Sequence, residues 1–321
     1  MRPRGSQSGG PISEMLKRLA IPAIVLIAGL TSATIPRAQT VPAKASGDEA
    51  DKWNSVPPRK SAYAGKKSAP APVRDLSGIW DATTDFGFQA KGANEHPAVL
   101  PGQDDPPGGA PNENGIIHPL PYTPLGEATL EAHKPTGVGV RSVPAVLGND
   151  PLDICDPIGF PRMELYELRT IEIAQTANQV IYLNQMQSVW RIIWTDGRKL
   201  PEDPEPRFKG YSVGKWIDDY TFVAETVGMD EKTWIDNAGR PHSKDLRVEE
   251  RFHRVDHDNM ELTVTIDDPQ MYTQPWLALN KFPLHLQPPD FDIREMFCSP
   301  SANAEYNRQV GDDSAAPTPQ K

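Results

Sequence analysis

Cysteine is scarce in this chain: Cys155 and Cys298 are its two, so at most one intramolecular disulfide is possible. Positive charge is also in short supply, with 33 Lys and Arg against 43 Asp and Glu and a formal net charge of −10. Residues 1–38 hold Arg2, Arg4, Lys17, Arg18 and Arg37 against Glu14 alone, so the chain beyond them is more acidic still. That sign opposes binding to nucleic acid or to anionic lipid, and no basic stripe offsets it. The apolar run at residues 19–30 is well short of the roughly 20 residues a transmembrane helix needs, and Pro22 and Gly29 interrupt it. A βαβ rhythm is missing as well, which removes Rossmann and TIM folds. Proline, by contrast, is plentiful: 34 of 321 residues. That is roughly twice ordinary usage, which excludes a helical bundle and leaves loops and strands.

The N-terminus follows the order of a secretory signal. Lys17 and Arg18 precede the apolar run, and small residues gather at Thr31, Ser32 and Ala33, with a second small exit at Ala38. Positive charge, short apolar core and small cleavage site together predict cleavage within residues 1–38 and a periplasmic or extracellular protein. Met15 is the better-placed initiator, and residues 1–14 read as an upstream extension. No stable membrane span is expected after cleavage. In an oxidising compartment the two cysteines are expected to pair, Cys155 with Cys298, closing a long loop. Residues 39–74, rich in Lys, Ala, Ser and Pro without hydrophobic period, read as a flexible tether. Residues 75–300 form a single β-rich domain, and 301–321 a C-terminal tail.

Within the domain, residues 75–80 alternate as a strand, and a Pro/Gly-rich insertion follows over residues 92–150. It carries one expected short helix, with Thr123 as N-cap, Pro124 in the first turn and the helix running on to His133. Beyond Glu167, short alternating segments at 168–174, 179–185 and 188–194 end on the turn Asp196-Gly197. Two hairpins come next, residues 211–217 with 220–226 around Asp218-Asp219, and 246–255 with 260–268. Strands spaced by 8 to 12 residues predict an all-β antiparallel meander closing into a barrel.

In the last hairpin, Arg247, Glu249, Arg251 and His253 share one face, and Leu246, Val248 and Phe252 the other. Matching like with like predicts His253 opposite Thr263, Arg251 opposite Thr265 and Glu249 opposite Asp267. The charged ribbon is either a solvated outer face or the polar lining of a ligand-binding lumen.

Gly210-Tyr-Ser212-Val-Gly214 matches a nucleophile elbow, and Asp236 and His242 follow in hydrolase order. The elbow needs a helix after the serine, however, and Lys215-Trp216-Ile217 continues a strand. His253 and His257 have helical ligand spacing but straddle a turn, so no metal site is predicted. His242 with Asp267 or Asp268 is the candidate general acid/base pair of a cofactor-independent hydrolase, lyase or isomerase. Trp190, Trp194, Trp216, Trp234, Tyr272 and Trp276 recur at strand ends. Most are expected in the core, although in a barrel mouth such rings suit a flat, partly apolar ligand.

Several of these motifs together resemble a family of secreted bacterial proteins frequent in soil acidobacteria and related groups. They are Cys155-Asp-Pro-Ile-Gly-Phe-Pro161, Trp190-Arg-Ile-Ile-Trp-Thr-Asp-Gly197, Gly210-Tyr-Ser-Val-Gly-Lys-Trp216, Pro241-His-Ser243, Leu246-Arg-Val-Glu-Glu-Arg251 and Thr265-Ile-Asp-Asp-Pro269 with Tyr272-Thr-x-Pro-Trp276. The resemblance spans about residues 75–308 and implies compartment and extent rather than chemistry. Gly78-Ile-Trp80 is similar to the opening signature of lipocalin-like barrels, which makes that architecture the expected one. The functional expectation is a barrel binding a small, partly apolar ligand, with Trp194, Trp216, Tyr272 and Trp276 as walls and Arg191, His242, Glu249, Arg251 and His253 as polar anchors. The alternatives are the His242 enzyme and a structural or interaction module of the envelope. No cofactor is implied, and export separates the chain from soluble nicotinamide and ATP pools.

Overall fold

A computed structural model describes residues 67–81, 120–136, 143–165, 170–306 and 308–309. The expected signal and most of the tether lie outside these residues. The strands are β1 (Gly78–Asp81), β2 (Ile171–Gln175), β3 (Gln179–Asn184), β4 (Val189–Trp194), β5 (Tyr211–Trp216), β6 (Thr221–Val227), β7 (Arg247–Arg254), β8 (Asn259–Asp267) and β9 (Trp276–Leu286). Each pairs with its neighbour in sequence, and β9 returns to β1, so the sheet closes into a barrel without an open edge.

Alternation along the strands explains the closure. In β8, Met260, Leu262, Val264 and Ile266 point inward, and the residues between them are half-exposed. In β7, Val248, Glu250, Phe252 and Arg254 do the same. The β7–β8 register differs from the expected one by two residues: His253 lies opposite Glu261, Arg251 opposite Thr263, Glu249 opposite Thr265 and Arg247 opposite Asp267. A two-residue slip conserves the face, so the apolar set stays in the core. The slip follows from a tight turn in which Asn259 carbonyl accepts from Val255 and Asp256 N–H.

An odd number of strands cannot alternate in direction all round a closed barrel, so one neighbouring pair must run parallel. That pair is β4 and β5, joined only through Ile193 with Ser212 and Trp194 with Val213. All other pairs are antiparallel. Residues 195–210 must travel back along the barrel before β5 can start. The ninth strand, β9, breaks strict alternation: Ala278 and Leu279 are both buried, the ladder to β8 shifts register between Leu262 and Thr265, and Lys281 has φ of 48°. A bulge of this kind lets a strand carrying Pro283 stay in the sheet.

The described residues of the insertion, 120–136 and 143–150, pack beside one end of the barrel. Helix α1 (Pro124–Ala132) starts as expected, with the Thr123 hydroxyl accepting from Gly126 N–H at 3.0 Å. Gly126 lies so close to the Met271 carbonyl that any Cβ would collide with it. Residues 158–165 turn inward, ending in the single turn α2 (Arg162–Leu165), and bury Ile158, Phe160, Met163 and Leu165. Cys155 is bonded to Cys298, with their Cα atoms 5.4 Å apart. This bond ties the plug to the segment before α3 (Pro300–Tyr306). Part of the expected tether belongs to the barrel: Ser68 hydroxyl donates to Asp256 at 2.7 Å, and His257 N–H donates to Ala69 carbonyl. All described residues fall within one unit, Ala45–Lys321, and none of their helices is long and apolar enough to cross a membrane.

Candidate functional site

The barrel interior is filled. Trp80, Tyr182, Phe222, Phe252, Leu262 and Phe282, from six different strands, are each at most 2% exposed. Among them lies a charged cluster. Arg191 on β4 donates to both carboxylate oxygens of Glu250 on β7 at 2.6 Å and approaches Glu164 of α2 at 3.6 Å. The guanidinium lies 4.0 Å from the Phe160 ring centroid and 5.5 Å from that of Tyr182. Burial, then the neighbouring Glu250 charge, pushes Glu164 well above the usual carboxyl range. One cation facing two carboxyls leaves an excess negative charge unless one carboxyl keeps its proton. Arg191 makes its short contacts to Glu250, so Glu164 is the carboxyl that burial and charge favour to keep a proton.

A second polar network holds the plugged end. Asp150 accepts from both guanidinium nitrogens of Arg162, at 2.7 and 2.6 Å, and Arg240 pairs with Asp236. His242 is buried between Thr233 hydroxyl at 2.8 Å and Ser243 carbonyl at 3.2 Å. A carbonyl can only accept, so Nδ1 carries a proton towards Ser243, while the Thr233 hydroxyl beside Nε2 also donates to the Asp230 carbonyl at 2.9 Å. Burial pushes His242 below its ordinary value, with Ser243 and Asp268 opposing that shift, which favours the neutral ring. Asp268 spends its oxygens on Ser243 N–H and hydroxyl, at 2.5 and 2.8 Å, and on the N–H groups of Gln270 and Met271. The two residues expected as an acid/base pair thus share Ser243 as neighbour but do not bond each other. Asp267 points to the outer face opposite Arg247.

The other expected site residues fall into three places. Tyr272 is buried and donates to Pro241 carbonyl at 2.9 Å, with its ring edge-on to Trp276 at 5.3 Å. Both rings belong to the plugged end. Trp216 points inward at the opposite end, edge-on to Phe222. Glu249, Arg251 and His253 face outward: Arg251 and Glu249 pair at 3.4 Å near half exposure, and His253 bonds Thr221 hydroxyl at 3.0 Å. The charged ribbon is therefore a solvated face, with a shallow hollow of about 220 Å³ beside Arg247, Glu249 and Asp267. Ser212 lies mid-strand, bonded to Thr226 hydroxyl at 2.9 Å, without a helix after it, and is no nucleophile elbow. No metal-ligating cluster occurs among the described residues.

Arg191 and Trp194 both border one cleft, at the parallel seam. Because β4 and β5 share only two paired positions, the start of β4 and the end of the 195–210 crossover diverge. Between them opens a cleft of about 740 Å³. Trp190, Trp194 and Tyr211 wall it, and each ring carries a cation: Lys209 at 4.1 Å from Trp190, Arg198 at 3.5 Å from Trp194 and Arg207 at 4.1 Å from Tyr211. Lys209 also donates to Trp190 carbonyl at 2.6 Å, and burial pushes its ammonium below the ordinary lysine value. Neither these cations, nor Tyr211 as a wall, nor Glu164 and Glu250 inside, stand out in the sequence as site residues. Glu250 alone had a signal: it keeps step with Val248 and Phe252. Compared with known proteins, the chain matches no family model, and no curated protein is significantly similar to it.

Proposed function

We propose that the protein is exported and binds a small, partly apolar molecule, and that its site is the cleft at the β4–β5 seam rather than the lumen. The observation that carries this reading is the contrast in space. The interior is occupied by the protein's own side chains, whereas the seam leaves about 740 Å³ walled by Trp190, Trp194 and Tyr211. That volume is within the range of small-molecule sites, and aromatic walls with a few polar groups are their usual chemistry. Export is supported by the order of residues 17–38 and by the Cys155–Cys298 disulfide. One wall of the cleft belongs to the closed sheet, through β4 and the start of β5, and the other to the 195–210 crossover.

The test uses the neutral dye N-phenyl-1-naphthylamine with the purified full chain. Saturable dye fluorescence excited through tryptophan is expected, and Trp194→Ala or Trp190→Ala should weaken binding roughly tenfold or more. Absence of saturable binding by this dye or by any anionic analogue of it would overturn the reading.

A further inference from the structure

The crossover that forms the cleft sorts its charges. Arg198, Lys199, Arg207 and Lys209 line the cleft; Asp196, Glu202, Asp203 and Glu205 of the same segment do not. Among the described residues, no acidic side chain lines it. This is unusual in a chain of formal charge −10, where carboxylates outnumber cations. Arg198 is neutralised by Asp196, at 2.6 Å. Lys199, Arg207 and Lys209 have no carboxylate partner among the described residues.

What holds Lys209 and Arg207 in place is aromatic. Each lies over a ring face about 4.1 Å away. A ring quadrupole positions a cation but leaves its full charge in force, whereas a carboxylate would cancel it. Lys209 is partly buried with only a carbonyl oxygen and a ring for company, and its ammonium is destabilised there. These cations are oriented in advance and uncompensated, which is the arrangement that an anion completes.

We infer that the seam cleft is selective for a small organic anion: a carboxylate, sulfonate or phosphate ester whose charged group reaches Lys209 and Arg207 while its apolar body lies along Trp190 and Trp194. This rests on the reading of the cleft as a ligand site and adds the sign of the ligand. A neutral or cationic molecule of the same shape would have to lie among uncompensated cations, and would bind more weakly.

The experiment compares two dyes that share a ring system and differ by one sulfonate: 8-anilinonaphthalene-1-sulfonate and neutral N-phenyl-1-naphthylamine. The anionic dye is expected to bind the full chain at least tenfold more tightly, with an affinity that falls as salt rises. Lys209→Met and Arg207→Gln should each reduce anionic-dye affinity roughly tenfold, a larger loss than either causes for the neutral dye. Arg207 is exposed, so its variant keeps the test valid even if Lys209→Met unfolds, and circular dichroism checks each. Equal affinity for both dyes, or anionic-dye binding untouched by Arg207→Gln, would overturn the anion preference and leave the cleft as a ligand site. If neither dye binds, both readings fall.

Discussion

Arg191 in the core and Lys209 on the seam crossover each lie against aromatic rings, yet their charges meet opposite fates. Inside, Arg191 is cancelled by Glu250 at 2.6 Å, and Glu164 completes a cluster without exposure to solvent. Outside, Lys209 has a ring and a carbonyl, and no carboxylate. The inner arrangement is complete in itself, and every charge in it must be balanced because water cannot help. The outer one is open, and water can carry what the protein leaves unbalanced. A filled lumen with balanced charge specifies structure; a cleft with unbalanced charge is available for a partner.

The largest expected effect breaks the inner side of this comparison. Arg191→Leu leaves Glu250 buried without its cation, and should cost about 3–5 kcal/mol in urea unfolding. Adding Glu250→Leu should return most of that loss, because it removes the stranded charge. Lys209→Met should cost less than about 1 kcal/mol. If the two single variants cost the same, the core and the crossover do not hold two kinds of charge.

Next comes the proton assigned to Glu164. Its folded value lies well above its ordinary 4.5, through burial first and Glu250 second. Below 4.5 both folded and unfolded chains hold that proton. Above it the unfolded chain releases the proton first, so this contribution to stability is lost as pH rises towards the folded value. Glu164→Gln, which mimics the protonated acid, should flatten that decline and stay within about 1 kcal/mol of the parent near pH 4. A stability curve that rises with pH over the same window, relative to the Gln variant, would place the proton elsewhere. His242 should give a smaller effect of opposite sign. Burial depresses its value from 6.5, so its contribution is present above 6.5 and lost as pH falls through the folded value. His242→Gln should remove that acid-side decline in denaturant midpoints measured across pH.

Much of the barrel was legible in the chain because alternation is local. The hairpins around Asp218-Asp219 and at residues 255–258 lie where turn residues interrupt period two, and helix α1 begins at Thr123-Pro124. Strand β9 was hidden because its bulge places Ala278 and Leu279 on the same side and Pro283 reads as a breaker. The site was hidden for a related reason. Its cleft exists because nine strands force one parallel pair, and that count depends on β9. The cations of residues 195–210 are interspersed in sequence with carboxylates, and only the path of the crossover sorts them. Arg191 and Trp194 were visible as candidates, while Glu250 was masked by the charged residues Glu249 and Arg251, which face the other way.

The smallest effect concerns salt, and it separates the two regions more finely than stability alone. Lys199, Arg207 and Lys209 repel one another across water, so removing one of them relieves a cost that screening also relieves. Arg207→Gln should therefore stabilise the chain by a few tenths of a kcal/mol near 10 mM salt, roughly the size of a surface charge contact. The gain should vanish near 1 M, where the screening length is about 3 Å. The Arg191→Leu penalty should barely respond to the same change, because no solvent ions reach the lumen. Denaturation at two salt concentrations reads both. A salt-independent gain in the Arg207 variant would mean that the seam cations are not repelling one another, and that the cleft's charge is already answered from within the protein.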